Sequence, residues 1–219
     1  METTLTMEEL ERGYERLRAV REIENIMGRY SFFHTSMQHI DYLKLWSQRD
    51  DCILDMPWGG YDGYKGVERC YLEDHGDRSF PETWDFMIGL FPMHTHTTGV
   101  IEVAEDLQTA RGCWLSPGEE TFAEDGKGEA TWAWSKIGAD FIQEDGVWKI
   151  WRMRVYGVFQ APYDTCWTDV PPYEGFVAET HCDRPPREAP NYHPDYIYPE
   201  NEPLPPEPYK TYSDVGYIW

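Results

Sequence analysis

The chain has 219 residues, enough for one sizeable hydrophobic core or for a core with a substantial appendage. Forty acidic residues against nineteen basic give a formal charge of -21, which repels phosphate backbones and anionic lipid and so argues against nucleic acid or a membrane as partner. Five cysteines without a Cys-x-x-Cys pair indicate neither a disulfide framework nor a zinc knuckle; they fit reduced thiols in a cytoplasmic protein, and the charged N-terminus reads as a helix, not a signal peptide.

Thr6-Met7-Glu8-Glu9 has the form of a capping box and predicts a helix starting there. Leu10, Tyr14, Leu17, Val20, Ile23, Met27 and Tyr30 then recur at three- and four-residue steps, one stripe expected to face a core and to end at Tyr30. A second helix is expected around Ile40 to Gln48, with Ile40, Leu43 and Trp46 inward. It is followed by a short strand over Cys52 to Met56 that Pro57 halts. Turn residues lead to a third helix over Gly66 to Gly76, and Trp84 to Phe91 reads as another short one.

Met93 to Ser116 organises the rest. Its first half alternates, so a strand there places His94, His96, Thr98 and Val100 on one face, and the acidic turn Glu105 to Gln108 makes a hairpin with Thr109 to Leu115. A polar stretch follows, then long strands over Glu129 to Gln143 and Val147 to Phe159, joined by the tight-turn signal Glu144-Asp145-Gly146. Three helices followed by antiparallel strands is an α+β pattern.

From Gln160 the composition changes. Twelve of the sixteen prolines lie in the last sixty residues, a signature of disorder, yet that stretch also carries Tyr163, Trp167, Tyr173, Phe176, Tyr192, Tyr196, Tyr198, Tyr209, Tyr212, Tyr217 and Trp219. Regular aromatic anchors predict an extended arm. The chain therefore divides into a domain over 1–160 and an arm over 161–219 that packs on that domain or on a neighbouring subunit.

A helix ending in Arg29-Tyr30, a strand broken at Pro57, Gly66 opening a helix, and His94 seven residues before Ile101-Glu102-Val103 resemble the SnoaL-like branch of the nuclear transport factor 2 (NTF2) superfamily. Thr109-Ala110-Arg111-Gly112 and Asp145 to Ile150 add to the likeness, which covers Leu10 to Phe159. The resemblance implies an NTF2-like cone, a curved antiparallel sheet packed on three N-terminal helices around an apolar pocket. It also implies a homo-oligomer, dimer or trimer. Superfamily members include dehydratases, isomerases, cyclases, oxygenase small subunits and binding modules, so the fold alone leaves function open.

Within that superfamily the chain looks most like the cofactor-independent lyases. Similarity to scytalone dehydratase implies that Tyr30 and His94 activate water or a hydroxyl. The carboxylate beside the family's tyrosine is absent, since Ser31 follows Tyr30, and the family's second histidine falls near Pro117 to Glu120, where this chain carries carboxylates. The aromatic load also resembles, in general architecture, bacterial lyases that remove formaldehyde from lignin-derived diaryl propanediols, giving a stilbene.

The residues themselves support acid-base chemistry without a metal or organic cofactor. His94 is the first candidate for general acid or base, because an imidazole exchanges protons near neutrality. Tyr30 can orient or protonate a leaving hydroxyl, and His34 lies one turn on if the helix persists. Arg78, in a chain with few cations, is a candidate to hold an oxyanion. His96, Asp55, Phe33, Trp46, Trp58, Trp84, Phe91 and Trp114 are candidates to line the pocket of an aromatic small-molecule substrate. Two readings compete with the lyase: a metal site on His94-x-His96, for which Glu102 follows too late to match a cupin, and a non-catalytic binding or small-subunit module.

Overall fold

The computed structural model describes residues 5–124, 127–170, 181–187, 192–195, 197 and 202–213. Helix α1 spans Met7–Thr35 and opens on the expected capping box: the Glu9 amide donates to Thr6 Oγ1 (3.2 Å) and the Thr6 amide donates to the Glu9 carboxylate (2.7 Å). Two short helices follow, α2 (His39–Leu43) and α3 (Gly63–Arg69), the latter running into one π-helical turn at Cys70–Asp74. Between them lie strands β1 (Ile53–Met56) and β2 (Gly59–Asp62). After α4 (Trp84–Met87) come β3 (Phe91–His94), β4 (Thr97–Val103), β5 (Thr109–Ser116), β6 (Gly118–Glu124), β7 (Lys127–Glu144) and β8 (Val147–Pro162).

The strands form one open sheet in the order β2-β1-β8-β7-β5-β4, with β6 also on β7 and β3 on β6. Every described pair is antiparallel except β1 with β8, which run parallel. Strand β7 is the spine: Lys127 to Trp132 pair with β6, Ser135 to Ile142 with β5, and Thr131 to Glu144 with β8. Register shifts at Trp134/Ser135 and Asp140/Phe141 mark bulges, which bend a strand and curve the sheet around α1. Ile23, Leu54, Phe141, Ile150 and Met153 are fully enclosed between helix and sheet.

Three expectations need correction. Leu10, Tyr14 and Leu17 do not face the core, being 48%, 64% and 72% exposed. The sheet-facing side of the first turns instead carries Arg12, whose Nε donates to the Glu105 carbonyl (3.2 Å), and Arg16, paired with Glu102 (3.4 Å); apolar packing begins at Ala19. The second helix stops at Leu43, and Trp46 bridges to Ile150 of β8. Finally, the two-histidine strand is not continuous: β3 ends at His94 and pairs with β6, while β4 starts at Thr97 and pairs with β5. Thr98 sits at φ 53°, and that left-handed residue lies where the pairing register shifts.

Described parts of the C-terminal segment lie against the same chain's core. Arg184 and Arg187 each reach the buried Asp55 at 2.8 Å, and Arg184 also holds Asp62. Asp183 pairs with Arg69 and accepts from the Asp62 amide, while His181 Nδ1 meets Asp74 at 2.5 Å. Farther on, the Tyr209 carbonyl accepts from the Glu105 amide (2.9 Å), and Tyr212 donates its hydroxyl to Asp140 (2.8 Å) while accepting from Arg152. Tyr173, Phe176, Tyr196, Tyr198, Tyr217 and Trp219 lie outside the described residues. No helix is long and apolar enough to cross a membrane among the described residues.

Candidate active site

Helix α1 persists through Tyr30 to Thr35, so His34 falls one turn beyond Tyr30 on the buried side, with ring centroids 5.8 Å apart. Around these two gather rings from separate segments: His39 and Tyr42 of α2, Tyr71 of the π-helical turn, His75 after it, His94 at the end of β3 and His96 in the break before β4. The His34 ring lies 5.2 Å from His39, 5.7 Å from His75 and 5.5 Å from His94, and His96 stands 4.8 Å from Tyr30. The broken strand therefore still turns both of its histidines toward α1. Ser31 ties the two elements together by donating its hydroxyl to the His94 carbonyl (2.5 Å).

His94 has a carboxylate partner. Its Nε2 meets Glu120 Oε1 at 2.8 Å, and the other carboxylate oxygen accepts from Gln160 Nε2 (3.1 Å). In register, His94 opposes Gly118, and Glu120 lies two residues farther along β6 on the same face, the diagonal position from which a long side chain reaches across. Gly118 is required here: a Cβ on it would come within 2.5 Å of His94 Nδ1 and 2.7 Å of the Ala133 carbonyl. At 18% and 16% side-chain exposure, His94 and Glu120 remain open enough to exchange protons with a ligand.

The other four histidines of the cluster are held without charge. Burial pushes His34 well below the ordinary histidine value, helped by the neighbouring histidines, and burial with His75 nearby takes His39 to about 4. Burial likewise lowers His75 and takes His96 to about 4. Their protons are placed by acceptors that cannot donate. His39 Nδ1 donates to the Gly76 carbonyl (2.5 Å), His75 Nδ1 to the Cys70 carbonyl (2.7 Å) and His96 Nδ1 to the Met27 carbonyl (3.0 Å). The tyrosines form a hydroxyl chain in which Tyr42 donates to Tyr71 (3.2 Å) and Tyr71 to Tyr30 (3.4 Å), leaving the Tyr30 proton at its open end. Burial raises all three, Tyr30 to about 12, so each keeps its proton at neutral pH.

A cleft of about 760 Å³ adjoins this cluster along α1, lined by Met27, Phe33, Met93, His96, Ile101 and Trp114 among others. Four of the sequence candidates, Tyr30, His34, His94 and His96, are thus brought together, with Phe33 and Trp114 in the neighbouring cleft. Trp58 borders the cluster, 5.7 Å from His75, with its Nε1 donating to Tyr61. Others stand elsewhere. Arg78 is exposed, and among the described residues its hydrogen bonds are made by its backbone, to Met37 and Trp84. Asp55 is occupied by Arg184 and Arg187, Trp46 is core, and Trp84 and Phe91 are 56% and 42% exposed.

Sequence reasoning missed Glu120, Gln160, His39 and His75. For Glu120 a signal existed, because the carboxylates at Pro117 to Glu120 stand where the resemblance places a histidine. His39 and His75 carry no local signal; only the tertiary fold joins α2 to the turn after the π-helical segment. Among the described residues, no three His, Cys, Asp or Glu side chains are grouped so as to hold a metal ion.

Residues 15–154 match the family of the SnoaL-like domain. Three solved structures share the architecture. A candidate scytalone dehydratase of Novosphingobium aromaticivorans is 15% identical with a TM-score of 0.53, over 69% of this chain and 91% of that one. The hexachlorocyclohexane dehydrochlorinase LinA-type3 of Novosphingobium barchaimii is 16% identical with a TM-score of 0.55, over 73% and 99%. An NTF2-like protein with a cystatin-like fold, from Novosphingobium aromaticivorans, is 14% identical with a TM-score of 0.50, over 75% and 94%. At such identities the likeness is one of fold, and that fold is NTF2-like. No curated protein matches the chain.

Proposed function

The chain belongs to the SnoaL-like domain family, and from that membership we propose that it is a cofactor-independent lyase acting on an aromatic small molecule by acid-base chemistry. The concrete reaction is loss of formaldehyde and water from a diaryl propanediol to give a stilbene. The observation that carries this reading is the His94-Glu120 pair, partly open and set beside a neutral His34 and the free hydroxyl proton of Tyr30.

In this scheme the His94 imidazolium, held by Glu120, protonates the benzylic hydroxyl as the carbon-oxygen electron pair leaves with it, and water departs. Tyr30 donates a hydrogen bond to that leaving oxygen. His34 accepts the proton of the terminal hydroxymethyl, whose O–H electron pair becomes the second bond of formaldehyde while the carbon-carbon pair becomes the new double bond. Return of the proton from His34 to His94, whose rings lie 5.5 Å apart, restores the starting state. A para-phenol on the substrate assists the first step by delocalising the developing cation. Arg78 has no part in this scheme, because no described contact brings it to the cluster.

The test is incubation of purified protein with such a diol and no added cofactor, with stilbene followed by absorbance and formaldehyde by trapping. Equal yields of both support the lyase. Water loss without formaldehyde makes the protein a dehydratase, and no product from any aromatic alcohol makes it a binding module.

A further inference from the structure

His34 Nδ1 lies 3.0 Å from His39 Nε2, an arrangement that leaves the proton ambiguous until the far end of the chain is considered. His39 Nδ1 faces the Gly76 carbonyl, an acceptor only, so that nitrogen carries the hydrogen. An uncharged His39 then has a lone pair on Nε2. His34 must therefore donate from Nδ1, and its own Nε2 is left as an acceptor. The same reasoning applies to His75, whose Nδ1 hydrogen goes to the Cys70 carbonyl. Neither Nε2 has a partner among the described residues, with His34 7% exposed and His75 half-buried. The two rings stand 5.7 Å apart, His34 next to His94.

We propose that His34 and His75 present two fixed hydrogen-bond acceptors that recognise a pair of hydroxyl donors on one uncharged ligand, and that His39 is the positioning residue that fixes the His34 acceptor. Each donor the pair could offer is already spent on backbone or on His39. A carboxylate or phosphate would meet lone pairs and the Glu120 carboxylate, whereas a 1,3-diol supplies two O–H groups. Asp77 holds the relay in place by capping α2, its carboxylate accepting from the Ile40 amide (2.8 Å).

The inference rests on the proposed reaction for the identity of the ligand, but its test reads no turnover. Long-range proton-nitrogen NMR on 15N-labelled protein identifies the tautomer of each histidine. The expected result is His34 and His75 protonated on Nδ1 from pH 6 to 8. The inert probe 2-phenyl-1,3-propanediol, which lacks a benzylic leaving group, should shift both Nε2 resonances and bind about tenfold more tightly than its dimethyl ether. In His39→Leu, His34 should become a mixture of tautomers and the preference for diol over ether should shrink; His39→Gln, which keeps an acceptor toward His34 and a donor toward Gly76, should restore both. A hydrogen on His34 Nε2 in the native protein overturns the proposal, as do equal binding of diol and ether or binding of neither. Should His39→Leu fail to fold, the native spectrum, the probe pair and His39→Gln still decide. Failure of the stilbene assay alone removes the reaction and leaves this recognition standing.

Discussion

Beneath α1, four histidines are buried (His34, His39) or half-buried (His75, His96) with no ion pair among the described residues, three of them pinned by backbone carbonyls and His34 by His39. Along β1, β2 and the π-helical turn, by contrast, the buried Asp55, the exposed Asp62 and the half-buried Asp74 are paired with Arg184, Arg187 and His181 of the C-terminal segment. Both regions take polar groups out of water, at a cost that must be offset. The second offsets it with opposite charge, two arginines on Asp55 alone. The first leaves lone pairs and one hydroxyl proton unspent, beside a half-open His94-Glu120 pair, and stays uncharged. Incomplete satisfaction is the mark that separates the candidate site from the clasp.

The comparison breaks most sharply if His94→Ala retains activity. That variant should lose a factor of about 100 to 10,000 in kcat with the fold intact by circular dichroism, since it removes the acid. Gly118→Ala should cost roughly a hundredfold, because the new methyl group collides with His94 and with the Ala133 carbonyl, and a misplacement of that order is enough. Next comes acid titration. His39 and His96 fall to about 4 when folded, below the unfolded value of 6.5, so the unfolded chain takes up protons first. Stability should be full above pH 6.5 and decline as pH falls from 6.5 toward 4, by up to roughly 3 kcal/mol per group, read from urea midpoints.

Arg184→Ala should weaken the clasp and not the site: about 1–3 kcal/mol of stability lost, with kcat changed less than twofold, Arg187 still holding Asp55. The smallest effect should be at His181, where the sign reverses. Its hydrogen bond to Asp74 raises it, so its contribution is present below pH 6.5 and is lost as pH rises through its folded value. Hydrogen exchange at the His181 amide should then quicken more steeply with pH than in an unfolded peptide. The two regions should thus respond to pH in opposite directions, and a common direction would dissolve the contrast.

Local chemistry was readable wherever neighbours in sequence decide the outcome. The Thr6-Glu9 cap, the Asp145-Gly146 turn and the hairpin of β4 and β5 involve residues within a few positions of one another. His94, Tyr30 and His34 were readable through spacing along one helix and likeness to a family. The break between His94 and His96 was not, because it depends on β3 choosing β6 as its partner. Nor was the exposure of Leu10, Tyr14 and Leu17, since periodicity marks a stripe but does not say where the sheet ends beside it. His39 and His75 are single histidines in unremarked segments, and their roles exist only once α2, the π-helical turn and α1 have met. Glu120 lies between these cases: its strand alternates weakly, but its carboxylate stood where a catalytic partner was due.

Strand β7 and its partner β8 also imply an order of assembly. Asp145 and Gly146, at φ 50° and 80°, form a two-residue turn whose twist suits the ribbon, so 18 and 16 residues can zip together with almost no loop to close. Strand β1 must come from far away in sequence to lie parallel to β8, pairing Ile53 with Arg152. The histidine pocket needs α1, α2, β3 and β6 all in place, contacts that span much of the chain and form slowly. The sheet's spine should therefore gain far-ultraviolet signal on refolding before the tryptophans at 46 and 114 reach their native fluorescence, and chemistry should be the last property to return.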